Sequence, residues 1–176
     1  MSSTKHGSAT QGFYSRLKIS ANLFRLMMNL WPPFWGLRIH ILWIAPDYRK
    51  LTVRMKLSST NKNYVGTHFG GGLFSMCDPF YVVMLLNVIG NDYVVWDKAA
   101  AIQYVSPGRG TVFAKFHITD EQLAEIIEKT AHGDKFEPIY RVNVVDTAGK
   151  IVAIVDKTLY IRRKVKASGG KAPSVS

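Results

Sequence analysis

Cysteine is almost absent from the sequence, since Cys77 is the only one among 176 residues. A single cysteine excludes a disulfide within the chain and is typical of the reducing cytosol. The five histidines are scattered and show no spacing typical of zinc ligands, so we predict no metal site. The first twelve residues are polar and lack the apolar core of a signal peptide. We therefore expect a cytoplasmic protein that carries no metal and no bound cofactor.

Acidic residues are missing from both ends of the chain. Residues 1–25 hold four basic residues, residues 162–176 hold five, and neither stretch has an Asp or a Glu. Removing these nine from the 23 basic residues leaves 14 against 12 acidic residues, so most of the net charge of +11 belongs to the ends. We interpret 1–12 and the basic stretch 164–176 as disordered tails, and we expect no nucleic-acid partner.

Charge is also nearly missing from Asn63 to Asn91, where Asp78 is the only charged residue. Because 20% of the whole chain is charged, this stretch predicts a helix that is buried on all sides. Its length would suffice to span a bilayer, but its consecutive glycines and the Asp78-Pro79 pair argue against a membrane span. A lone carboxylate in such a place is costly unless it is paired or serves chemistry. We predict that the rest of the chain packs around this helix.

The segment 13–35 predicts an amphipathic helix before the main domain. Polar residues recur at steps of three and four from Ser15 to Asn29, and Pro32-Pro33 end the helix. Its basic stripe admits two hypotheses, which are packing on the body or another subunit, and lying on a membrane surface. We favour packing on protein and expect no membrane contact by this helix.

The remaining chain, 36–163, alternates between β-rich runs and turns. The predicted strands are 37–44, 51–57, 93–105, 111–118, 136–145 and 151–161. They are expected to form three hairpins, with turns at 46–48, 106–110 and 146–149, and a short helix from Thr119 or Asp120 to Ala131 precedes the last one. No long parallel crossover is implied, so the predicted class is α+β, with an antiparallel sheet around one helix.

The stretch from Asn63 to Phe80, NYVGTHFGGGLFSMCDPF, is the candidate for chemistry. Consecutive glycines at the start of a helix leave backbone N–H groups exposed, where the helix dipole favours a developing anion. Such donors suit the oxyanion formed during acyl transfer, and Asp78 is a candidate base or nucleophile. The structural alternative is that the glycines allow close packing and that Asp78 caps a neighbouring loop.

This stretch resembles a known family. Asn63, Gly66, Gly70-Gly71 and Asp78 have the spacing of hotdog-fold acyl-CoA thioesterases of the phenylacetate-degradation type. The whole of 36–163 also resembles an uncharacterised family of hotdog domains, through the motifs WPPF, YVGTHFGG, DPFY, VWDKAA and PGRG. The resemblance implies a hotdog fold, an antiparallel sheet wrapped around one long central helix, here with an additional N-terminal helix. It also implies a thioesterase whose substrate is an acyl-CoA.

The resemblance implies roles for individual residues. The N–H of Gly70 or Gly71 polarises the thioester carbonyl, Asn63 orients the substrate or the water, and Asp78 activates water or attacks directly. The histidine that the family has before Gly-Gly is replaced by Phe69, with His68 one residue earlier.

Three residues complete the candidate site as contacts to the substrate. His68 and Phe69 are expected there because they precede the glycines. Arg109 lies in a glycine-rich turn and is a candidate for binding the coenzyme A phosphates, with a solvated turn arginine as the alternative.

The spacing of the motif also constrains the assembly. Gly70 and Asp78 are eight residues apart, roughly 12 Å along a helix that rises 1.5 Å per residue. One reacting carbonyl cannot touch both groups of a single chain, so catalysis implies a homodimer with shared active sites, and the sequence leaves open whether dimers pair into tetramers.

Two other functions are compatible with the same fold. One is a non-catalytic acyl-CoA or lipid-binding hotdog protein, since a fold does not determine its function. The other is a hotdog hydratase or dehydratase, for which His68 is the only indication, because that chemistry requires a histidine and an acid that converge on the substrate.

Overall fold

The computed structural model describes residues 19–165, which form one antiparallel sheet around a central helical segment. The strands are β1 (Ile39–Ile44), β2 (Lys50–Lys56), β3 (Tyr93–Tyr104), β4 (Thr111–His117), β5 (Lys135–Phe136), β6 (Ile139–Asp146) and β7 (Ile151–Arg163). The helices are α1 (Ala21–Leu30), α2 (Pro32–Leu37), α3 (Gly70–Ser75), α4 (Phe80–Ile89) and α5 (Asp120–Lys129). These elements confirm the predicted α+β class. The predicted tail 1–12, the first part of the predicted N-terminal helix and residues 166–176 lie outside the described residues.

The sheet has the order β1-β2-β4-β6-β7-β3, and β5 pairs with one end of β7. The hairpins β1–β2 and β6–β7 are confirmed. The predicted hairpin of β3 and β4 is wrong, because β3 pairs with β7 whereas β4 pairs with β2 and β6. The twelve-residue β3 finds a partner of similar length in β7, with thirteen residues, which the seven-residue β4 cannot provide. The segment that follows β3 is bound to the start of β7, where the N–H groups of Val105 and Ser106 both donate to the Val152 carbonyl.

The central segment consists of α3 and α4 with a break between them. Pro79 has no N–H to donate to the Ser75 carbonyl, which instead accepts from the Asp78 N–H at 3.4 Å. The predicted long central helix is therefore present but interrupted beside its acid. Around the break the core consists of the buried side chains of Leu73, Met76, Cys77, Phe80, Tyr81, Met84 and Leu85. Among the described helices, Gly70–Ile89 alone is long and apolar enough to cross a membrane, and a buried core helix meets the same criteria.

The N-terminal helix α1 packs on the outer edge of β1. Its N-cap is Ser20, so the described helix begins at Ala21 within the longer segment 13–35 that we predicted. The Asn29 Oδ1 accepts from the Ile41 N–H at 2.7 Å, and its Nδ2 donates to the Ile41 carbonyl at 3.1 Å. Asn29 thereby satisfies backbone groups that an edge strand would otherwise leave unpaired.

This contact changes which face of α1 meets solvent. Asn29, a member of the predicted polar stripe, lies on the side of the sheet. Four apolar residues are about half or more exposed instead, namely Leu23, Leu26, Met27 and Leu30. Pro32 and Pro33 end α1 as predicted and also begin α2, which the sequence did not suggest, because proline fits the first turn of a helix.

Candidate active site

The loop before α3 is organised by Asn63. Its Oδ1 accepts from the N–H groups of Val65 and Thr67, at 3.1 and 3.0 Å, and its Nδ2 donates to the Thr67 hydroxyl oxygen at 2.9 Å. The same Nδ2 lies 3.4 Å from the His68 carbonyl oxygen. Asn commonly closes turns in this way. Both polar groups of the Asn63 side chain therefore form hydrogen bonds inside the loop, and these bonds fix the conformation of the segment that leads to Gly70.

His68 is buried and joins this loop to the turn between β3 and β4. Its backbone N–H donates to the Gly108 carbonyl at 3.0 Å, and its ring Nε2 lies 3.0 Å from the Gly110 carbonyl oxygen. Because a carbonyl only accepts, Nε2 carries the proton, and Nδ1 is a buried acceptor without a partner among residues 19–165. Burial lowers the pKa of His68, and the hydrogen bond to Gly110 opposes this effect. The ring is therefore neutral at pH 7 and holds the two loops together.

The start of α3 presents two free backbone donors. The N–H groups of Gly72 and Leu73 donate to the Phe69 carbonyl, whereas those of Gly70 and Gly71 have no acceptor in the described part of the chain. Two aromatic rings border this helix start. A Cβ atom added to Gly71 would clash with the Phe69 ring, and one added to Gly70 would lie 2.8 Å from the hydroxyl oxygen of Tyr104. This end of the segment can donate hydrogen bonds to an anionic oxygen beside two exposed rings.

The carboxylate of Asp78, in the break between α3 and α4, is bound by Lys157. The Lys157 Nζ lies 2.8 Å from Asp78 Oδ1 and 3.0 Å from Asp97 Oδ1. Lys157 is fully buried, whereas the Asp78 side chain is 49% exposed. The ammonium also lies 5.3 Å from the centre of the Phe74 ring. One buried cation therefore serves two carboxylates, one of which is half open to solvent.

The electrostatics of this cluster leave Cys77 unreactive. Burial raises the pKa of Cys77 to about 12, so its thiol stays protonated although it adjoins Asp78. Burial also raises the pKa of Asp97, while the hydrogen bond and charge of Lys157 lower it and the charge of Asp78 raises it. The negative charge nearest to solvent in this cluster belongs to Asp78.

The structure divides the predicted site residues between two places. Asn63, His68, Phe69, Gly70 and Gly71 lie together at the start of α3, and Asp78 lies at the other end of that helix. Arg109 is exposed on the turn that His68 holds, and it makes no hydrogen bond or ion pair with residues 19–165.

Lys157 and the role of Asp97 beside it were missed by the sequence analysis. A signal was present, because Lys157 interrupts an apolar run in β7 whose neighbours on the same face, Val155 and Leu159, are buried. A lysine on the buried face of a strand requires an anionic partner. The sequence did not indicate which acid would be that partner.

Two observations concern metal binding and a cavity elsewhere in the described chain. Within residues 19–165, no group of three or more His, Cys, Asp or Glu side chains could hold a metal ion. A cavity of about 350 Å³ is lined by residues that include Asp92, His132 and Arg163, and none of the candidate site residues lines it.

A family model described as a domain of unknown function, DUF4442, matches residues 20–161. The chain belongs to this family. The DUF4442 match begins with α1 and ends within β7, so α1 is part of the matched domain. No protein with a curated description matches the sequence.

Solved structures show the fold of the DUF4442 chain. PA5026 from Pseudomonas aeruginosa, described as a protein of unknown function and probable thioesterase, is 17% identical with a TM-score of 0.71, over 82% of this chain and 97% of that chain. The thioesterase HI1161 from Haemophilus influenzae is 10% identical with a TM-score of 0.61, over 86% and 96%. The PaaI protein from the phenylacetic acid degradation operon of E. coli is 19% identical with a TM-score of 0.55, over 78% and 88%. The DUF4442 chain has the hotdog fold that the resemblance predicted.

Proposed function

We propose that this DUF4442 protein hydrolyses acyl thioesters, with acyl-CoA as the substrate class. The observation that carries the proposal is the half-exposed carboxylate of Asp78, bound from the core by the buried ammonium of Lys157. Buried ion pairs are weak evidence for stability, because apolar replacements are often neutral or stabilising. A charged cluster with an exposed oxygen is better explained as a functional site. The names of PA5026 and HI1161 support thioester hydrolysis as the class of reaction.

In the proposed reaction Asp78 acts on water. It takes one proton from a water molecule while the water oxygen forms a bond to the thioester carbonyl carbon. The carbonyl oxygen becomes an oxyanion, which accepts hydrogen bonds from the N–H groups of Gly70 and Gly71. The C–S bond then breaks, the carboxylic acid leaves, and Asp78 returns its proton to the departing thiolate. In the alternative, Asp78 attacks the carbonyl carbon itself, and the C–S bond breaks with release of the thiolate. Water then hydrolyses the resulting anhydride to the carboxylic acid and protonated Asp78, which gives its proton to the thiolate.

The other predicted residues have supporting roles in this proposal. Asn63 and His68 hold the loops around Gly70, and Phe69 forms part of the wall beside the substrate. Arg109 is the candidate for the coenzyme A phosphates, because a guanidinium binds phosphate with two parallel hydrogen bonds.

The proposed site is shared between two subunits. Gly70 and Asp78 are separated by roughly 12 Å at helical rise, too far for one carbonyl to reach both groups. The strand β3 supports a dimer, because it is an edge strand that pairs only with β7 in the described sheet. Its middle residues Ala99–Ala101 are small and exposed, and an unpaired edge of this kind is a template for pairing with another chain.

One register of such a dimer fits a shared site. Suppose that β3 pairs antiparallel with its own copy around a two-fold axis that passes through Ala101. Tyr104 of the partner subunit then faces the β-bulge between Asp97 and Ala99, because Tyr104 and the bulge residue Lys98 both lie three residues from the axis. Tyr104 borders Gly70, and Asp97 shares a lysine with the catalytic acid. The acid end of one subunit therefore meets the glycine end of the other.

A hydrolysis screen tests the proposal. Purified protein is incubated with acyl-CoAs of increasing chain length and with aryl-CoAs, and the released thiol is measured. We expect turnover by the wild type and a loss of about 10²-fold or more in Asp78→Asn, the amount that positioned acid–base catalysis typically contributes. Asp134→Asn, which removes an exposed carboxylate elsewhere, and Cys77→Ser should both retain activity. Equal activity in Asp78→Asn and Asp134→Asn would contradict the proposed role of Asp78.

Non-catalytic binding of an acyl-CoA is a second candidate function. It is favoured by Asn63, whose amide is used within its own loop and is therefore not free to bind the substrate or the attacking water. Calorimetric titration with a thioether analogue of acyl-CoA distinguishes the two functions. Saturable binding without thiol release from any thioester in the screen supports the binding protein.

A further inference from the structure

The buried ammonium of Lys157 has two anionic partners, although one carboxylate would be enough to neutralise its charge. Lys157 lies on β7, with Tyr140 of β6 and Ala100 of β3 as its cross-strand neighbours. Its two ion pairs come from different elements, Asp78 from the break in the central segment and Asp97 from β3. A lysine whose charge merely had to be neutralised in the core would require only one carboxylate.

The titratable groups that face Lys157 can all be named from the elements packed around it. The central segment contributes Asp78 and Cys77, β3 contributes Asp97, and β6 contributes Tyr140. Burial raises the pKa of Cys77 and of Tyr140, so both are neutral at pH 7. The ammonium is therefore balanced by carboxylates alone, and the cluster has a net charge of −1 when both are ionised.

The geometry assigns different tasks to the two oxygens of Asp78. Its Oδ1 accepts a hydrogen bond from Lys157, and its Oδ2 has no polar partner among residues 19–165. Because the side chain is half exposed, the unbound oxygen can face water or substrate. A carboxylate in the break between α3 and α4 could otherwise rotate about its side-chain bonds, and the hydrogen bond from Lys157 restricts this rotation.

Asp97 in turn restrains the lysine. Its carboxylate lies 3.0 Å from Nζ and leans in from β3 at a β-bulge, where the register between β3 and β7 shifts between Asp97 and Ala99. A bulge re-aims a side chain, and here the re-aimed side chain meets the buried ammonium. The lysine is thus fixed from two sides, with the Phe74 ring near its ammonium.

We propose that Lys157, held by Asp97, is a positioning residue that orients the carboxylate of Asp78 for the proposed hydrolysis. The inference rests on the proposed function and adds two residues that do not touch the substrate. It also gives the cluster a function that fold stability does not require, since a lysine in the core is costly to bury. Asp97 holds Lys157 in place, and Lys157 orients the carboxylate of Asp78.

The test is a double-mutant cycle on turnover. Lys157→Met keeps the length of the side chain and removes its charge, and we expect kcat to fall about 10²-fold, a loss typical of misplacing a reacting group by about 1 Å. KM should change less than kcat, because the substrate does not touch Lys157. Combining Lys157→Met with Asp78→Asn should give no loss beyond that of Asp78→Asn alone.

Three further variants separate positioning from packing. Lys157→Arg retains the charge with a different shape and should recover part of the activity lost in Lys157→Met. Asp97→Asn should lower kcat less than Lys157→Met does, again with little change in KM. Val144→Ala creates a core defect on β6 away from the cluster and should lower thermal stability while leaving kcat unchanged. A wild-type kcat in Lys157→Met, or losses that multiply in the double mutant, would overturn the inference.

A measurement without substrate keeps this result distinct from failure of the proposed function. The carboxyl carbon of Asp78 is observed by NMR at pH 7 in the wild type, in Lys157→Met and in Val144→Ala. If no thioester is hydrolysed, the proposed function fails, and the effect of Lys157 on Asp78 is still decided by these spectra. A resonance of Asp78 that moves in Lys157→Met and not in Val144→Ala supports the inference, and an unchanged resonance in Lys157→Met overturns it.

Discussion

At the scale of single residues, the structure shows how three polar side chains are kept in an apolar segment. Asn63 closes its own loop, His68 is neutral and bonded to the Gly110 carbonyl, and Asp78 is bound by Lys157. Each group has at least one hydrogen-bond partner, which lowers the cost of placing it in an apolar segment. Among them, Asp78 combines an ion pair with substantial exposure, which is why it carries the proposed chemistry.

His68 makes stability depend on pH at the residue scale. Burial lowers its pKa in the folded state below the unfolded value of 6.5. The unfolded state therefore binds more protons as the pH falls through about 6.5, and the free energy of unfolding should decrease there. Above that pH the contribution of His68 is constant. Urea unfolding at pH 7.5 and 5.5 measures the effect.

The variant His68→Gln is the control for this prediction. Glutamine can donate a hydrogen bond to Gly110 but does not titrate, so the variant should lose less stability between pH 7.5 and 5.5 than the wild type. A pH dependence identical in both proteins would contradict the assignment to His68.

Among the secondary-structure elements, the two edge strands of the sheet differ in whether another element covers them. β1 is covered by α1 through Asn29, whereas β3 is left open by the described residues. Covering one edge and leaving the other open directs pairing with a second chain to a single place. The difference between the edges is the basis of the dimer proposed above.

The contact of α1 with β1 is predicted to stabilise the domain. Asn29→Ala removes both hydrogen bonds to Ile41, and we expect a loss of about 1–2 kcal/mol in the free energy of unfolding, measured by denaturant titration. Asn22→Ala changes an exposed residue of the same helix and should have little effect. The two variants giving the same stability would mean that the bonds to Ile41 contribute nothing.

Deleting residues 1–30 extends the same test to the whole helix. We expect lower stability or an altered oligomer, because the helix packs on protein. Cosedimentation of the full chain with anionic vesicles, abolished by the deletion while the oligomer persists, would instead favour the membrane hypothesis.

At the scale of the whole molecule, the two ends of α3 belong to different proposed sites. This separation predicts that two inactive variants complement each other. Asn63→Ala disturbs the loop at the glycine end, and Asp78→Asn removes the acid, so each homodimer should be nearly inactive. When the two are refolded together, about half of the dimers are mixed by random pairing of a two-fold assembly. One site of a mixed dimer then holds both lesions and the other holds none.

Recovered activity should approach roughly a quarter of the wild-type value, which is the statistical limit for two-fold pairing. The single substitution Ala101→Cys verifies the dimer, because a residue on the two-fold axis faces its own copy and can form a disulfide with it. Verified mixed dimers that show no gain over either parent would place Asn63 and Asp78 in one site of one chain.

Local sequence pattern accounts for the elements that need no distant partner. The burial of most of Gly70–Ile89 follows from its having one charged residue in twenty, the interruption at Pro79 from a missing N–H, and the hairpins β1–β2 and β6–β7 from short turns between alternating strands. The remaining features depend on contacts between residues that are distant in sequence, which local pattern does not specify. Thus β3 pairs with β7, a strand of similar length, and not with its neighbour β4, and Asn29 binds an unpaired strand edge and not solvent. Lys157 pairs with Asp78 across 79 positions of sequence, and only the packing of β7 against the central segment brings the two side chains together.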